Sequence, residues 1–227
     1  KLSHLGYAPS SKQRGNRSMI YVKQSYNLHP ATPANRDRFV KAVGDFVLPA
    51  NERLGARLVA GFFAHEEWFS QIIHVTEFDD FEALAAYRDG VSKDGQAAEG
   101  AAQLENLAPE QHIDIVEPLG VIAVSKLHDA IETSASEPAK TYTFAILDVD
   151  AGKMDQFDSL LGSAQDSLPI IACWRDVSGN PNRIIDLWKG DTGRGGYRPT
   201  DDGQDAFFEP LRRIAARDKM MRLHVMP

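Results

Sequence analysis

The chain has 227 residues, 43% of them hydrophobic, and a formal net charge of −7. That length allows one large domain or two small ones, and the acidic balance argues against nucleic acid or an anionic membrane as main partner, because both select basic patches. A single cysteine, Cys173, excludes an intrachain disulfide framework, no apolar run is long enough to span a bilayer, and a cytoplasmic protein is expected.

Residues 1–18, KLSHLGYAPSSKQRGNRS, are polar, basic and rich in Gly, Pro and Ser, without the apolar stretch of a signal peptide. They read as a flexible arm or a tail added for expression, or as an arm that docks on a partner subunit. MIYVKQSYNL (19–28) alternates and is rich in strand formers. Thr32 then offers an N-cap and Pro33 a first helical position, and Phe39, Val40, Val43, Phe46 and Val47 recur at helical spacing. ARLVAGFFA (56–64) and FSQIIHVTEFDD (69–80) are two further strands, the second leading into a helix capped by Asp79 or Asp80. AAEGAAQLENL reads as another helix, and HIDIVEPLGVIAV (112–124) as a strand whose Pro118 marks an edge or a bend.

The order β-α-β-β-α-β then recurs. TYTFAILDV is a strand, AGKMDQFDSLLGSAQ a helix, PIIACWRDV and NRIIDLWKG a hairpin through SGNP, DAFFEPLRRIAARDK a helix, and MRLHVMP a closing strand. The two middle hairpins align without a gap: His74 corresponds to Asp186 and Phe62 to Trp174, each pair 112 residues apart. One supersecondary unit used twice is the physical reading of such self-similarity. The expected organisation is therefore an arm (1–18), a first unit (19–125), a linker (126–139) and a second unit (140–227). A four-stranded antiparallel sheet with both helices on one side leaves its other face bare. The expected fold class is thus α+β: two tandem βαββαβ units whose sheets pack face to face as a barrel-like sandwich. Homodimerisation is then optional.

Alternation sorts the third strand into Gln71, Ile73 and Val75 on one face and Ile72, His74 and Thr76 on the other. In the second copy Ile185 and Leu187 oppose Ile184, Asp186 and Trp188. The more aliphatic faces suit packing under helices, which leaves the His74 and Asp186 faces for a pocket between the sheets. His74 is then open to three readings: a general base, a haem or metal ligand, or a core histidine whose hydrogen bonds are satisfied. A carboxylate at Asp186 near His74 would fix its tautomer and raise its basicity; alternatively Asp186 pairs locally with Arg183 or Lys189, or is a solvated polar position. Gln24 and Tyr26 share a face of the first strand, and Tyr26 either orients a ligand or packs in the core. Trp174 and Trp188 form an aromatic wall for a flat ligand or fill the core, Phe62 is a further substrate-binding candidate, and His224 in the last strand ranks second to His74.

Other features carry less. HEEW (65–68) lacks the i, i+4 spacing of helical zinc motifs and reads as a solvated turn. GDTGRGGYRPTDDG (190–203) is no phosphate-binding loop, although Arg194, Tyr197 and Arg198 could cover a pocket mouth. Cys173 sits among apolar residues and reads as core.

IYVKQSYNLHPA, LPANERLGARLVAGFF and FSQIIHVTEFDDFEALAAYR together resemble the NIPSNAP-type members of the dimeric α/β-barrel superfamily over residues 19–90. Two positions depart from that pattern: Gln24 stands where an Arg is common, and Val75-Thr76 where Leu-Trp follows the histidine. The resemblance implies ferredoxin-like units and a small-molecule pocket. It also implies an activity range that includes cofactor-free oxygenases of aromatic polyketides, isomerases, cyclases and haem-degrading enzymes. The expectation is an enzyme on a small hydrophobic or aromatic molecule, using His-assisted proton transfer for oxygenation, isomerisation, cyclisation or decarboxylation without a cofactor. A non-catalytic ligand-binding module and a haem-binding protein are the alternatives.

Overall fold

The computed structural model describes residues 19–65, 68–134, 136–137, 139, 141–190, 202–215 and 217–226. The arm 1–18, Glu66, Glu67, Arg194, Tyr197 and Arg198 lie outside the described residues. Among the described residues the fold is mixed α/β with eight antiparallel strands. Two compact units divide it. Of the described residues, one takes in those from 19 to 61, Phe69–Ile113 and Met226; the other takes in those within Phe62–Trp68 and Asp114–Val225.

In the first unit, β1 (Ile20–Asn27) runs antiparallel to β3 (Gln71–Phe78), with Gln24 opposite His74 and Tyr26 opposite Ile72. The strand β2 (Arg57–Ala64) lies on the other side of β3. Helix α1 (Pro33–Ala42) starts where the sequence says it should: the Thr32 hydroxyl accepts from the Asn35 amide at 3.2 Å, with Pro33 at the first position. Its apolar residues carry on through a π-helical stretch (Val43–Val47) into α2 (Leu48–Leu54), which Gly55 ends in the left-handed region at φ 74°. Asp80 caps α3 (Phe81–Lys93) by accepting from Ala83 N at 2.8 Å. Asp94 caps α4 (Gly95–Leu107) in the same way and holds Arg53 at 2.7 Å. Gly100 lets α4 approach the π-helical stretch: a Cβ there would lie 2.5 Å from Phe46 Cβ.

The strand β4 ends at Pro118 (Glu110–Pro118), the residue that cannot donate to a ladder. A linker was expected over 126–139, but Val124–Ser134 forms helix α5, with Leu127 buried. Leu127 and Ile131, four residues apart, are the apolar stripe that signals it.

In the second unit, β5 (Tyr142–Asp148) lies between β7 (Arg183–Lys189) and β8 (Arg217–Val225), and β6 (Ile170–Asp176) lies between β7 and the end of β4. The end of β2 pairs with the end of β8, Phe63 opposite His224. Helices α6 (Met154–Ala164) and α7 (Asp202–Leu211) cover one face of this sheet. Phe157, Leu161, Phe207 and Leu211 join Leu147, Cys173, Ile184 and Trp188 in one buried cluster. Burial of that many apolar side chains, at roughly 25 cal/mol per Å², is what holds the helices to the sheet.

Candidate functional site

Which face of each sheet the helices cover decides where a site can form. In the first unit the covered face is the one that carries His74. The Phe39 ring, from α1, stands 5.7 Å from the His74 ring, and Tyr87, from α3, stands 5.3 Å from Phe78. The aliphatic-face argument had the helices on Gln71, Ile73 and Val75; the structure reverses it. Bulk aliphatic content did not decide the matter, because α1 and α3 bring aromatic side chains, and these pack against the aromatic residues of β1 and β3.

His74 is 3% exposed. Tyr26 and Phe39 meet its ring edge-on at 5.1 and 5.7 Å, and Tyr26 meets Phe39 at 4.9 Å. Burial alone pushes the imidazole down to about 4, so the ring is neutral at pH 7. Its Nε2 is buried and has no hydrogen-bond partner. Such an atom costs about 1–3 kcal/mol when nothing satisfies it. A neutral imidazole with a free nitrogen can accept or donate one hydrogen bond, and it can take up a proton if a negative charge forms beside it.

The groups around it are phenols and amides. Burial raises the Tyr26 hydroxyl well above the usual phenol range, and the neighbouring Tyr87 adds to the rise, so Tyr26 is a permanent proton donor near neutral pH. Tyr87 donates to Asn51 Oδ1 at 2.6 Å, which ties α3 to α2 beside the site. Gln24, directly opposite His74, donates to Gln111 Oε1 at 2.8 Å, and Gln111 in turn donates to the Ala108 carbonyl at 3.0 Å. Sequence reasoning found His74, Tyr26 and Gln24 but missed Tyr87, Asn51 and Gln111. Tyr87 was signalled only as one aromatic on a helix whose covered side was not yet known.

The second unit places its expected residues on two different faces. Asp186 and Trp188 lie on the helix-covered side, Trp188 stacked 6.3 Å from Phe208. Burial pushes Asp186 up to about 7, the Asp218 charge adds to the rise, and neither carboxyl oxygen has a hydrogen-bond partner. Cys173, its cross-strand neighbour, moderates the rise as a weak hydrogen-bond donor that falls short of full geometry, and its own thiol is driven well above the usual range by burial and by Asp186. Cys173 is therefore a core residue, as read from the sequence, and not a thiolate. Trp174 lies on the other face, 6.5 Å from Phe144, with Phe62 5.8 Å from Phe144 and 5.5 Å from Tyr142. His224 is half-buried, 6.5 Å from the ring of His65. The influences on His74 and on Asp186 are thus separate: burial alone for the first, and burial, Cys173 and Asp218 for the second.

One polar arrangement went unnoticed. On the face of β1 and β3 away from α1, Tyr21 donates to Glu77 at 2.9 Å, Arg57 pairs with Glu77 at 3.4 Å, and Gln71 donates to Asn27 at 2.7 Å. Lys23 is buried on the same face of β1. The signal was in the sequence: Tyr21, Lys23, Ser25 and Asn27 are polar at every second position of β1.

Haem ligation requires open space for the macrocycle over the ligating nitrogen. The ring of His74 is enclosed by Tyr26 and Phe39, so the residues there do not fit a haem. Among the described residues, no group of three His, Cys, Asp or Glu side chains is placed to hold a metal ion. No described helix is long and apolar enough to cross a membrane.

Residues 21–121, somewhat under half of the chain, match the NIPSNAP family model. That segment is NIPSNAP-like. No curated protein matches this NIPSNAP-like sequence. Among solved structures, a proposed monooxygenase from Fusobacterium nucleatum subsp. nucleatum is similar with a TM-score of 0.63 and 10% identity, over 93% of this chain and 94% of that one. A proposed monooxygenase from Lactobacillus acidophilus NCFM gives 0.62 and 9%, over 91% and 93%. An anthrone oxidase-like protein gives 0.55 and 10%, over 93% of each chain. At these identities the likeness is one of fold.

Proposed function

We propose that this NIPSNAP-like chain is a small-molecule enzyme that acts on a largely apolar metabolite, with His74 accepting a proton from it. The observation that carries the reading is the unpartnered Nε2 of a neutral imidazole enclosed by aromatic rings. An imidazole held at about 4 is a weak base, so the substrate must bring an acidic C–H or O–H whose anion is delocalised. As the proton moves, substrate anion and imidazolium form side by side, and each stabilises the other where water is excluded. Tyr26, which keeps its proton, supplies a donor for the oxyanion, and Gln24, held by Gln111, orients the substrate.

Oxygenation, isomerisation, cyclisation and decarboxylation all proceed from such an anion. The fold neighbours described as monooxygenases and as anthrone oxidase-like make oxygen addition, with dioxygen as co-substrate, the first to test. The recurrence of the β-α-β-β-α-β order from β5 to β8 supports a chain built as two ferredoxin-like units in tandem. The weak basicity of His74 favours one other reading, a module that binds its ligand and releases it unchanged.

The test is incubation of the purified protein with a metabolite extract under air, read by mass spectrometry. Consumption of one compound class, abolished in a folded His74→Ala variant, is the expected result. Unchanged kinetics in that variant contradict the proposal, and stable capture with no product supports the binding module.

A further inference from the structure

The second unit holds a concentration of unmade hydrogen bonds that the His74 chemistry does not use. Asp186 is 1% exposed and neither carboxyl oxygen has a hydrogen bond of full geometry, the Cys173 thiol being a weak donor to it; Trp188, two residues along the same face of β7, is 4% exposed and its indole Nε1 lacks a partner. On α6, which packs over this face, Asp158 Oδ1 is likewise buried and unpartnered. Apolar side chains dominate the surroundings: Phe157, Leu161 and Ile184 in the buried cluster, and Phe208 stacked on Trp188. Buried polar atoms in folded proteins are almost always satisfied, by protein, water or ligand. The ill-satisfied polar atoms of Asp186 and Trp188, neighbours on one face of β7, call for an occupant.

The chemistry of those atoms restricts it. An indole N–H only donates, so the occupant must accept there. The ionised form of Asp186 only accepts, so the occupant must donate to that form. A hydroxyl does both with one oxygen, and an aromatic body matches the rings around it. We propose that the second unit contains a separate binding site, under α6 and α7, for a small phenol, whose hydroxyl donates to Asp186 and accepts from Trp188.

The chain has three tryptophans, so its indole N–H signals in a nitrogen-15 NMR spectrum are few, and a Trp188→Phe variant identifies the one of interest. Phenol, anisole and toluene serve as probes, offering donor and acceptor, acceptor alone, and neither. The expected result is a saturable shift of the Trp188 N–H with phenol, at an affinity about tenfold above that of toluene, with anisole between them. Asp186→Leu should remove the preference for phenol over anisole. Asp186→Asn, which keeps the shape and the acceptor, should retain it and guards against a variant that merely misfolds. The shift should persist in His74→Ala, so failure here and failure of the His74 reading are distinguishable. No saturable shift at Trp188, equal affinity for phenol and toluene, or a Trp188 N–H that exchanges magnetisation with bound water in the presence of saturating phenol would each overturn the site.

Discussion

β3 and β7 hold corresponding places in the two halves of the chain, and each carries one buried ionisable side chain on the face its helices cover. Burial acts on both in the same way physically, by penalising charge, yet the consequences for pH are opposite. His74 is an acid when charged and falls to about 4; Asp186 is a base when charged and rises to about 7. Near neutral pH the first unit of the free protein therefore carries a neutral ring, while the second carries a carboxyl group in mid-titration. Under the proposed function this difference explains why only the first is suited to wait for a substrate anion: His74 would gain a charge on acting, and that charge would have a partner only when substrate is present.

The comparison is broken most severely by opening the aromatic enclosure. Phe39→Ala removes a fully buried ring from over His74 and should cost about 3–5 kcal/mol in urea unfolding. Water admitted there should bring the His74 titration back toward its ordinary value, while the Asp186 titration stays where it is.

The pH dependence of stability separates the two groups by sign. Asp186 binds its proton more tightly folded than unfolded, so its contribution is full below about 3.8 and is lost as pH rises through about 7. Asp186→Asn should remove that loss and recover about 4 kcal/mol at pH 8 relative to pH 3.8. His74 binds its proton less tightly folded than unfolded, so stability is lost as pH falls from about 6.5 through about 4. His74→Gln should flatten this acid limb, by about 3 kcal/mol between pH 7.5 and pH 4. Urea titrations at a series of pH values read both, and two limbs of the same sign would contradict the account. The smallest effect is that of Tyr87→Phe, which loses the bond to Asn51 and should cost about 1 kcal/mol, with Tyr26 titrating lower once its neighbour's hydroxyl is gone.

Much of this architecture is legible in the sequence because local chemistry writes it. Thr32 with Pro33 and Asp80 each mark a helix start that the structure repeats with the named hydrogen bond. The strand alternation correctly placed Gln24 with Tyr26 and Ile72 with His74, since residue parity is a property of the strand itself. Parity says that two faces exist, but not which one the helices will cover. That depends on Phe39 and Tyr87 arriving from elsewhere in the chain, and the aliphatic content of Ile73 and Val75 was a poor substitute for knowing it. For the same reason Asn51 and Tyr87, 36 residues apart, could not be joined from the sequence, whereas the polar row Tyr21, Lys23, Ser25 and Asn27 could have been. Helix α5 was hidden by its short apolar stripe, only Leu127 of which is buried.

The central claim is that His74 is a neutral ring with no charge to stabilise it until substrate arrives. Its titration, followed through the imidazole carbon and nitrogen shifts by NMR in the free protein, tests this without any knowledge of the substrate. The account predicts a midpoint at about 4, with the ring neutral throughout the physiological range. A midpoint near the ordinary value of about 6.5 would mean that the ring is solvated or paired with an acid, and would contradict it.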